Sequence, residues 1–442
     1  MQKINAATLI DKAPLNKHHK ILVFWCAIVM LFDGYDLVIY GSVLPHLMKE
    51  WQLTPQTAGL LGAASLMGMM LGAVTLGMAA DKFGRKNIII ACTILSSLAV
   101  AMNGFAQDTT TFFICRLLTG IGLGGAVPNL VTIIKEMAPG THRNRLINLV
   151  LAFYGVGAII SGLAGLFLIP TFGWQATFWV AGICILLIPL MYKTFPESIS
   201  YLIQKNQQSE VVKTLKKFNP AHQHQPAMHY VVETTASKQK IPVVGLFTEN
   251  KAIGTLLIWS GFAMVMLMVY GLNTWLPKLM NVGGYSLGSS ITFLVTLNVG
   301  AIIGTLIFGV LADKWGAKST LIFGYLLSAA SISCLGFHPP TLVLSALLMI
   351  AGGATVGSMS VIHTLAADFY PANIRSTGVS FSAAMGRFGA ISGPLFGGYL
   401  LAINLPFQQN FILFAIPGLI GAIAIGLFTQ KKIVATTQMV KG

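Results

Sequence analysis

Residues 77–86 read Gly77-Met-Ala-Ala-Asp81-Lys82-Phe-Gly84-Arg85-Lys86, and the pattern returns as Gly309-Val-Leu-Ala-Asp313-Lys314-Trp-Gly316-Ala-Lys318. The copies stand 232 positions apart. At that one offset, without a gap, Pro45 meets Pro277, Gly68 meets Gly300, Gly72 meets Gly304, Gly120 meets Gly352 and Gly157 meets Gly389. Glycines match cheaply in a chain that has 46, but Glu136 with Asp368, Pro139 with Pro371 and Arg143 with Arg375 keep the same register. The chain is two copies of one unit.

Of its 442 residues 55% are hydrophobic and 9% charged, with mean hydropathy +0.75. A soluble domain carries about 25% charged residues, so an ordinary water-soluble enzyme is excluded. Apolar stretches fall at 21–47, 58–79, 88–106, 112–137, 146–170, 174–193, 252–278, 287–312, 319–337, 341–367, 376–402 and 408–428. Each is long enough to span a bilayer as a helix, and each is continuous rather than alternating, against a membrane β-barrel. The one long polar insert divides them six and six. The organisation expected is an N-terminal tail (1–20), a six-helix bundle (21–193), a central loop (194–251), a second bundle (252–428) and a C-terminal tail (429–442). This is an all-α membrane protein of twelve transmembrane helices in two pseudo-symmetric six-helix bundles.

The net charge of +15 would suggest nucleic acid in a soluble protein. With both termini cytoplasmic, however, all but four of the 28 Lys and Arg fall in cytoplasmic tails, loops and helix ends, the exceptions being Lys49, Lys278, Arg116 and Arg387. The positive-inside rule accounts for the basicity, and no nucleic-acid partner is expected. The first apolar stretch is longer than a signal-peptide core and has no small-residue cleavage site behind it, so it reads as a retained helix. Five cysteines, all within spans, have no metal-type spacing and read as packing residues. Neither paired intramembrane histidines nor a G-x-S-x-G nucleophile nor a P-loop occurs. No enzyme, metal or cofactor is expected, and the drive is an ion gradient.

Ionisable residues inside a membrane are functional candidates, and four lie well inside: Asp33, Asp36, Arg116 and Arg387. In Phe32-Asp33-Gly34-Tyr35-Asp36-Leu-Val-Ile-Tyr40, the spacing places Asp33, Asp36 and Tyr40 on one helix face. Two carboxylates there repel when both are ionised, which makes them candidate proton carriers; the plainer alternative is an ion pair with a neighbouring helix.

The loop at residues 77–86 resembles the G-x-x-x-D-x-x-G-R-K/R signature of the major facilitator superfamily. Phe32-Asp33-Gly34-Tyr35-Asp36, with Pro196-Glu197-Ser198, Leu272-Asn273-Thr274-Trp275-Leu276-Pro277 and Gly386-Arg387-Phe388-Gly389, is similar to its aromatic acid:proton symporter family, nearest the benzoate and 4-hydroxybenzoate type. The resemblance implies import of an aromatic carboxylate by proton symport with alternating access. It further implies a monomer in a bacterial inner membrane, with lipid, protons and a small aryl acid as the only partners. It assigns Gly77, Asp81, Gly84, Arg85 and Lys86 to a cytoplasmic gate latch, with Asp313 and Lys318 in a weaker copy that has Ala317 for the arginine.

By that resemblance Arg116 and Arg387 are candidate contacts for the substrate carboxylate, a role the guanidinium fork suits. Tyr40, Trp275 and Phe388 are candidates for the ring, with membrane-belt positions as the alternative. Asn273 and His363 are candidate hydrogen-bonding groups, although a lone intramembrane histidine is more often a helix–helix contact than a proton relay. One rival is proton-coupled efflux of anionic drugs or metabolites. Its G-x-x-x-G-P signature belongs in helix five, where the run Gly155–Gly162 has no proline; a similar run lies at Gly389–Gly398 instead. The other is an aryl-acid sensor that moves nothing.

Overall fold

A computed structural model describes residues 2–220, 228–231, 246–247, 251–371 and 374–428; the C-terminal tail and much of the central loop lie outside them. Strand β1 (Gln2–Asn5) and helix α1 (Ala6–Asp11) precede the first bundle. That bundle comprises α2 (Lys17–Glu50), α3 (Pro55–Phe83), α4 (Arg85–Asn103), α5 (Thr109–Met137), α6 (Arg143–Phe172) and a sixth crossing made of α7 (Gln175–Gly182), a 3-10 turn (Ile183–Leu187) and α8 (Ile188–Thr194). Helices α9 (Ile199–Gln204) and α10 (Gln208–Phe218) and strand β2 (Met228–Val231) follow in the insert. The second bundle is α11 (Ala252–Val282), α12 (Leu287–Trp315), α13 (Ala317–Leu335), α14 (Thr341–Phe369), α15 (Arg375–Ala402) and α16 (Phe407–Leu427).

Among the described residues, eleven helical segments are long and apolar enough to cross a membrane. The twelfth crossing is α15, whose 28 residues include Arg387 and many Gly and Ser; it is diluted by residues suited to close packing rather than shortened. The sixth crossing breaks because Pro189 opens α8, and its ring removes a backbone donor and crowds the preceding turn. The helices overrun their apolar cores: α5 starts at Thr109, where the Asp108 carboxylate accepts from Thr111 N at 2.8 Å, so Arg116 sits two turns inside.

The duplication reappears in the packing. In the first half α2 packs on α6, α3 on α5 and α4 on α5; in the second, α11 packs on α15, α12 on α14 and α13 on α14. Atomic contacts repeat as well. A Cβ on Gly68 would overlap the Leu117 carbonyl, and one on Gly300, its counterpart, the Met349 carbonyl 232 residues after Leu117. Only a residue without a side chain lets these backbones meet. The turns after α3 and α12 match too, with Gly84 at φ 92° and Gly316 at φ 80°, a region that L side chains avoid.

Both bundles put their helix-to-helix loops at two levels. The level carrying Gly84, Gly316, the insert and the outer ends of α2 and α16 is termed the motif face, and the opposite level the far face. The halves meet along α2–α11, α3–α15 and α6–α12, and their tight contacts cluster toward the far face. There a Cβ on Gly59 would come within 2.7 Å of the Pro394 carbonyl, and one on Gly41 would collide with the Asn273 carbonyl.

The N-terminal tail and the described part of the polar insert are folded against the first bundle. β1 pairs in parallel with β2. Asn16 Nδ2 donates to the Lys217 and Phe218 carbonyls at 2.9 and 3.0 Å, Asn219 Nδ2 donates to the Leu9 carbonyl at 2.8 Å, and Asp11 pairs with Arg143. Ile10, Val211, Leu215, Phe218 and Tyr230 share one apolar cluster with Leu22 and Trp25.

Candidate functional site

A small cavity lies between the halves at mid-height, lined by Asp33, Asp36 and Tyr40 of α2, Ser65 and Met69 of α3, Arg116 of α5, Tyr154 of α6 and Tyr270 and Thr274 of α11. Its volume is about 10 Å³, room for about one water. The i, i+3, i+7 spacing of α2 does aim Asp33, Asp36 and Tyr40 into one space.

The two aspartates have different partners. Asp36 is buried and spoken for: Arg116 Nη1 lies 2.7 Å from Oδ1 and Ser65 Oγ donates to Oδ2 at 2.8 Å. The same guanidinium lies over the Tyr40 ring, 5.3 Å from its centroid, while the Tyr40 hydroxyl donates to the Ala58 carbonyl at 2.6 Å. Burying a charge pair is tolerable only when both partners are present and hydrogen-bonded, which is the arrangement seen. Asp33 is equally buried but makes no hydrogen bond or ion pair among the described residues. It lies within electrostatic reach of Arg387 on the other half. Arg387 in turn forms no ion pair among the described residues, and its Nη1 is 4.0 Å from the Met69 sulfur at the cavity wall. One carboxylate and one guanidinium, one on each half, thus lie within electrostatic reach of each other, and neither forms an ion pair among the described residues.

The remaining ring and hydrogen-bond candidates are not brought to this cavity. Trp275 is wholly buried, donating Nε1–H to the Pro394 carbonyl at 2.8 Å, and so ties α11 to α15. Phe388 is 54% exposed on the outer surface of α15. His363 Nδ1 is 2.8 Å from the Met359 carbonyl, one turn back in α14, and the ring stands edge-on to Phe262. Asn273 lines a second cavity in the second half.

At the motif face Arg85 reaches three groups: Glu136 as an ion pair, Asp81 at 3.6 Å and Ser198 Oγ at 3.2 Å. Glu197 accepts from Lys86 N at 3.1 Å, and Gly77 sits over Pro128. Glu136, Glu197 and Ser198 were absent from the gate residues inferred above, although the repeat register and the Pro-Glu-Ser element both marked them. In the second copy Ala317 supplies no guanidinium. Asp313 and Asp368 form no ion pair among the described residues, and Lys318 Nζ instead donates to the Phe428 carbonyl at 2.7 Å.

The family model of the Major Facilitator Superfamily matches residues 26–304 and 289–438. The benzoate transport protein of Acinetobacter baylyi is 39% identical over 438 residues, 98% of this chain and 94% of that protein. The gallate transporter of Pseudomonas putida is 30% identical over 96% of this chain and 94% of its own. The 4-hydroxybenzoate transporter PcaK of Acinetobacter baylyi is 32% identical over 98% and 95%. In fold the chain is similar to a bacterial homolog of the human lysosomal transporter Spinster (TM-score 0.75, 18% identity, 94% of this chain and 98% of that one). It is similar also to the xylose transporter XylE of E. coli (TM-score 0.73, 16% identity, 94% and 98%). The duplicated six-helix halves, the glycine-containing loop between the second and third helices of each half and matches along nearly the whole chain agree: the protein belongs to the Major Facilitator Superfamily.

Proposed function

We propose that the protein imports an aromatic carboxylate with protons by alternating access, its motif face toward the cytoplasm of a bacterial cell. The carrying observation is that Asp33 and Arg387, one on each half, lie within electrostatic reach and that neither forms an ion pair among the described residues. With no cargo the two attract, which lowers the cost of returning the empty carrier. An incoming aryl carboxylate takes Arg387 through the guanidinium fork. Asp33 then faces a second anion, and two like charges about 4 Å apart at an effective dielectric near 20 repel by about 4 kcal/mol. A proton on Asp33 removes that repulsion, so cargo and proton travel together.

Arg116 and Asp36, already matched, hold Tyr40 and the α2–α5 contact in place. The full-length aryl-acid relatives support the substrate class, and the basic loops support the orientation. A cavity that holds one water belongs to a closed stage, and an aryl ring enters when the halves part. The test is uptake of labelled benzoate into proteoliposomes under an inward proton gradient, with hydroxybenzoates, muconate and a neutral sugar as competitors. Gradient-dependent accumulation displaced only by aryl acids is expected; gradient-independent uptake would sink proton coupling, and no uptake would sink the substrate class.

A further inference from the structure

The second cavity, also about 10 Å³, is the repeat counterpart of the first. Val269, Leu272, Leu297, Asn298 and Ala301 in its wall stand 232 positions after Leu37, Tyr40, Ser65, Leu66 and Met69 in the wall of the other. The duplication has kept the hollow and changed its chemistry, since the counterpart of Arg116 is Leu348 and that of Asp36 is Met268. In place of charges it holds two amides.

Their orientation is dictated by the backbone. Asn273 Nδ2 donates to the Val269 carbonyl at 2.8 Å, and Asn298 Nδ2 donates to the Leu294 carbonyl at 2.9 Å. Carbonyls accept only, so nitrogen must point at each of them. Asn298 Nδ2 also donates to Asn273 Oδ1 at 3.0 Å, which consumes both its N–H groups. What is left over is one acceptor, Asn298 Oδ1, which accepts no hydrogen bond among the described residues, and one N–H of Asn273. Thr355, on the opposite wall, has given its own proton to the Ala351 and Gly352 carbonyls and adds a second acceptor.

A group that donates to one of these acceptors and accepts from the Asn273 N–H matches this set. A hydroxyl does so; a carboxylate accepts only and would face two oxygens. We infer that the Asn273–Asn298–Thr355 cavity is a recognition site for a ring hydroxyl of a hydroxylated aryl acid, the charged end being handled in the other half. This rests on the aryl-acid reading above. Asn298 is the specificity-determining group, and Asn273 positions it.

The experiment uses the full-length protein in proteoliposomes and measures competition against labelled benzoate by 4-hydroxybenzoate, 3-hydroxybenzoate and their methoxy analogues. A methoxy oxygen accepts but cannot donate, leaving Asn298 Oδ1 unpaired. For at least one ring position the wild type is expected to favour hydroxy over methoxy by about tenfold, a net hydrogen bond being worth about one decade. Asn298→Leu, which installs the residue of the other repeat, is expected to abolish that ratio whatever the absolute rate. A wild type that accumulates no aryl acid overturns the substrate reading and this inference with it. Uptake with a ratio near one, or a ratio that Asn298→Leu leaves intact, overturns the inference alone. Should the variant fail to fold, the wild-type ratio decides.

Discussion

Asp33 and Asp36 stand about one helical turn apart in the wall of one cavity and differ in their partners. Because Asp33 forms no ion pair or hydrogen bond among the described residues, Asp33→Asn is expected to abolish gradient-driven accumulation while exchange of internal for external substrate persists; accumulation equal to wild type would remove Asp33 from proton coupling. Asp36 belongs to a buried pair with Arg116. Arg116→Ala strands a carboxylate and is expected to cost about 3–5 kcal/mol, read as a lowered unfolding midpoint in detergent. Replacing both by leucine should recover much of that loss, because no uncompensated charge remains. A double variant no more stable than Arg116→Ala would show that the residues act independently.

At the scale of helices, stability depends on where a backbone can tolerate a side chain. Gly68→Ala places its Cβ on the Leu117 carbonyl of α5, and backbone cannot yield as a side-chain tip does. A loss of about 1–3 kcal/mol is expected. Gly309→Ala, in α12, meets nothing within 4 Å and is expected to be neutral or slightly stabilising, since alanine favours helix over glycine by about 0.5–1 kcal/mol. Parallel melting curves of the two variants check this, and equal losses would refute the packing argument. At the loops, Arg85 binds α4, α5 and the start of α9 into one unit, whereas Ala317 leaves the second half without that tie.

For the whole molecule, the alternating access proposed above requires the α6–α12 seam to open. An ideal Cβ on Gly162 lies 3.7 Å from Cβ of Val295, within the about 3.5–4.5 Å that a disulfide needs. The pair Gly162→Cys with Val295→Cys, in a background where the exposed Cys334 is serine, is expected to cross-link on oxidation and stop uptake, with reduction restoring it. Uptake that continues through a complete cross-link would mean the halves need not part there.

Much was legible before any coordinates. The 232-residue register, the continuous apolar runs and the distribution of Lys and Arg dictate two six-helix halves, because a bilayer admits few solutions for a chain that must satisfy its own backbone. The α2 face carrying Asp33, Asp36 and Tyr40 followed from helical periodicity. Partner choice did not. Arg116 and Arg387 look alike in the chain, and only the packing of α5 against α2 pairs one with Asp36, while the other, on α15, forms no ion pair among the described residues. Trp275 and Phe388 likewise read as equal ring contacts until α11 buries one and α15 turns the other outward. The folded tail and insert were hidden for the same reason: their apolar residues are few and scattered in sequence, and gather into a core only when β1, α1 and α10 meet the first bundle. Pattern along a chain specifies which faces are apolar; which face meets which is set by long-range packing.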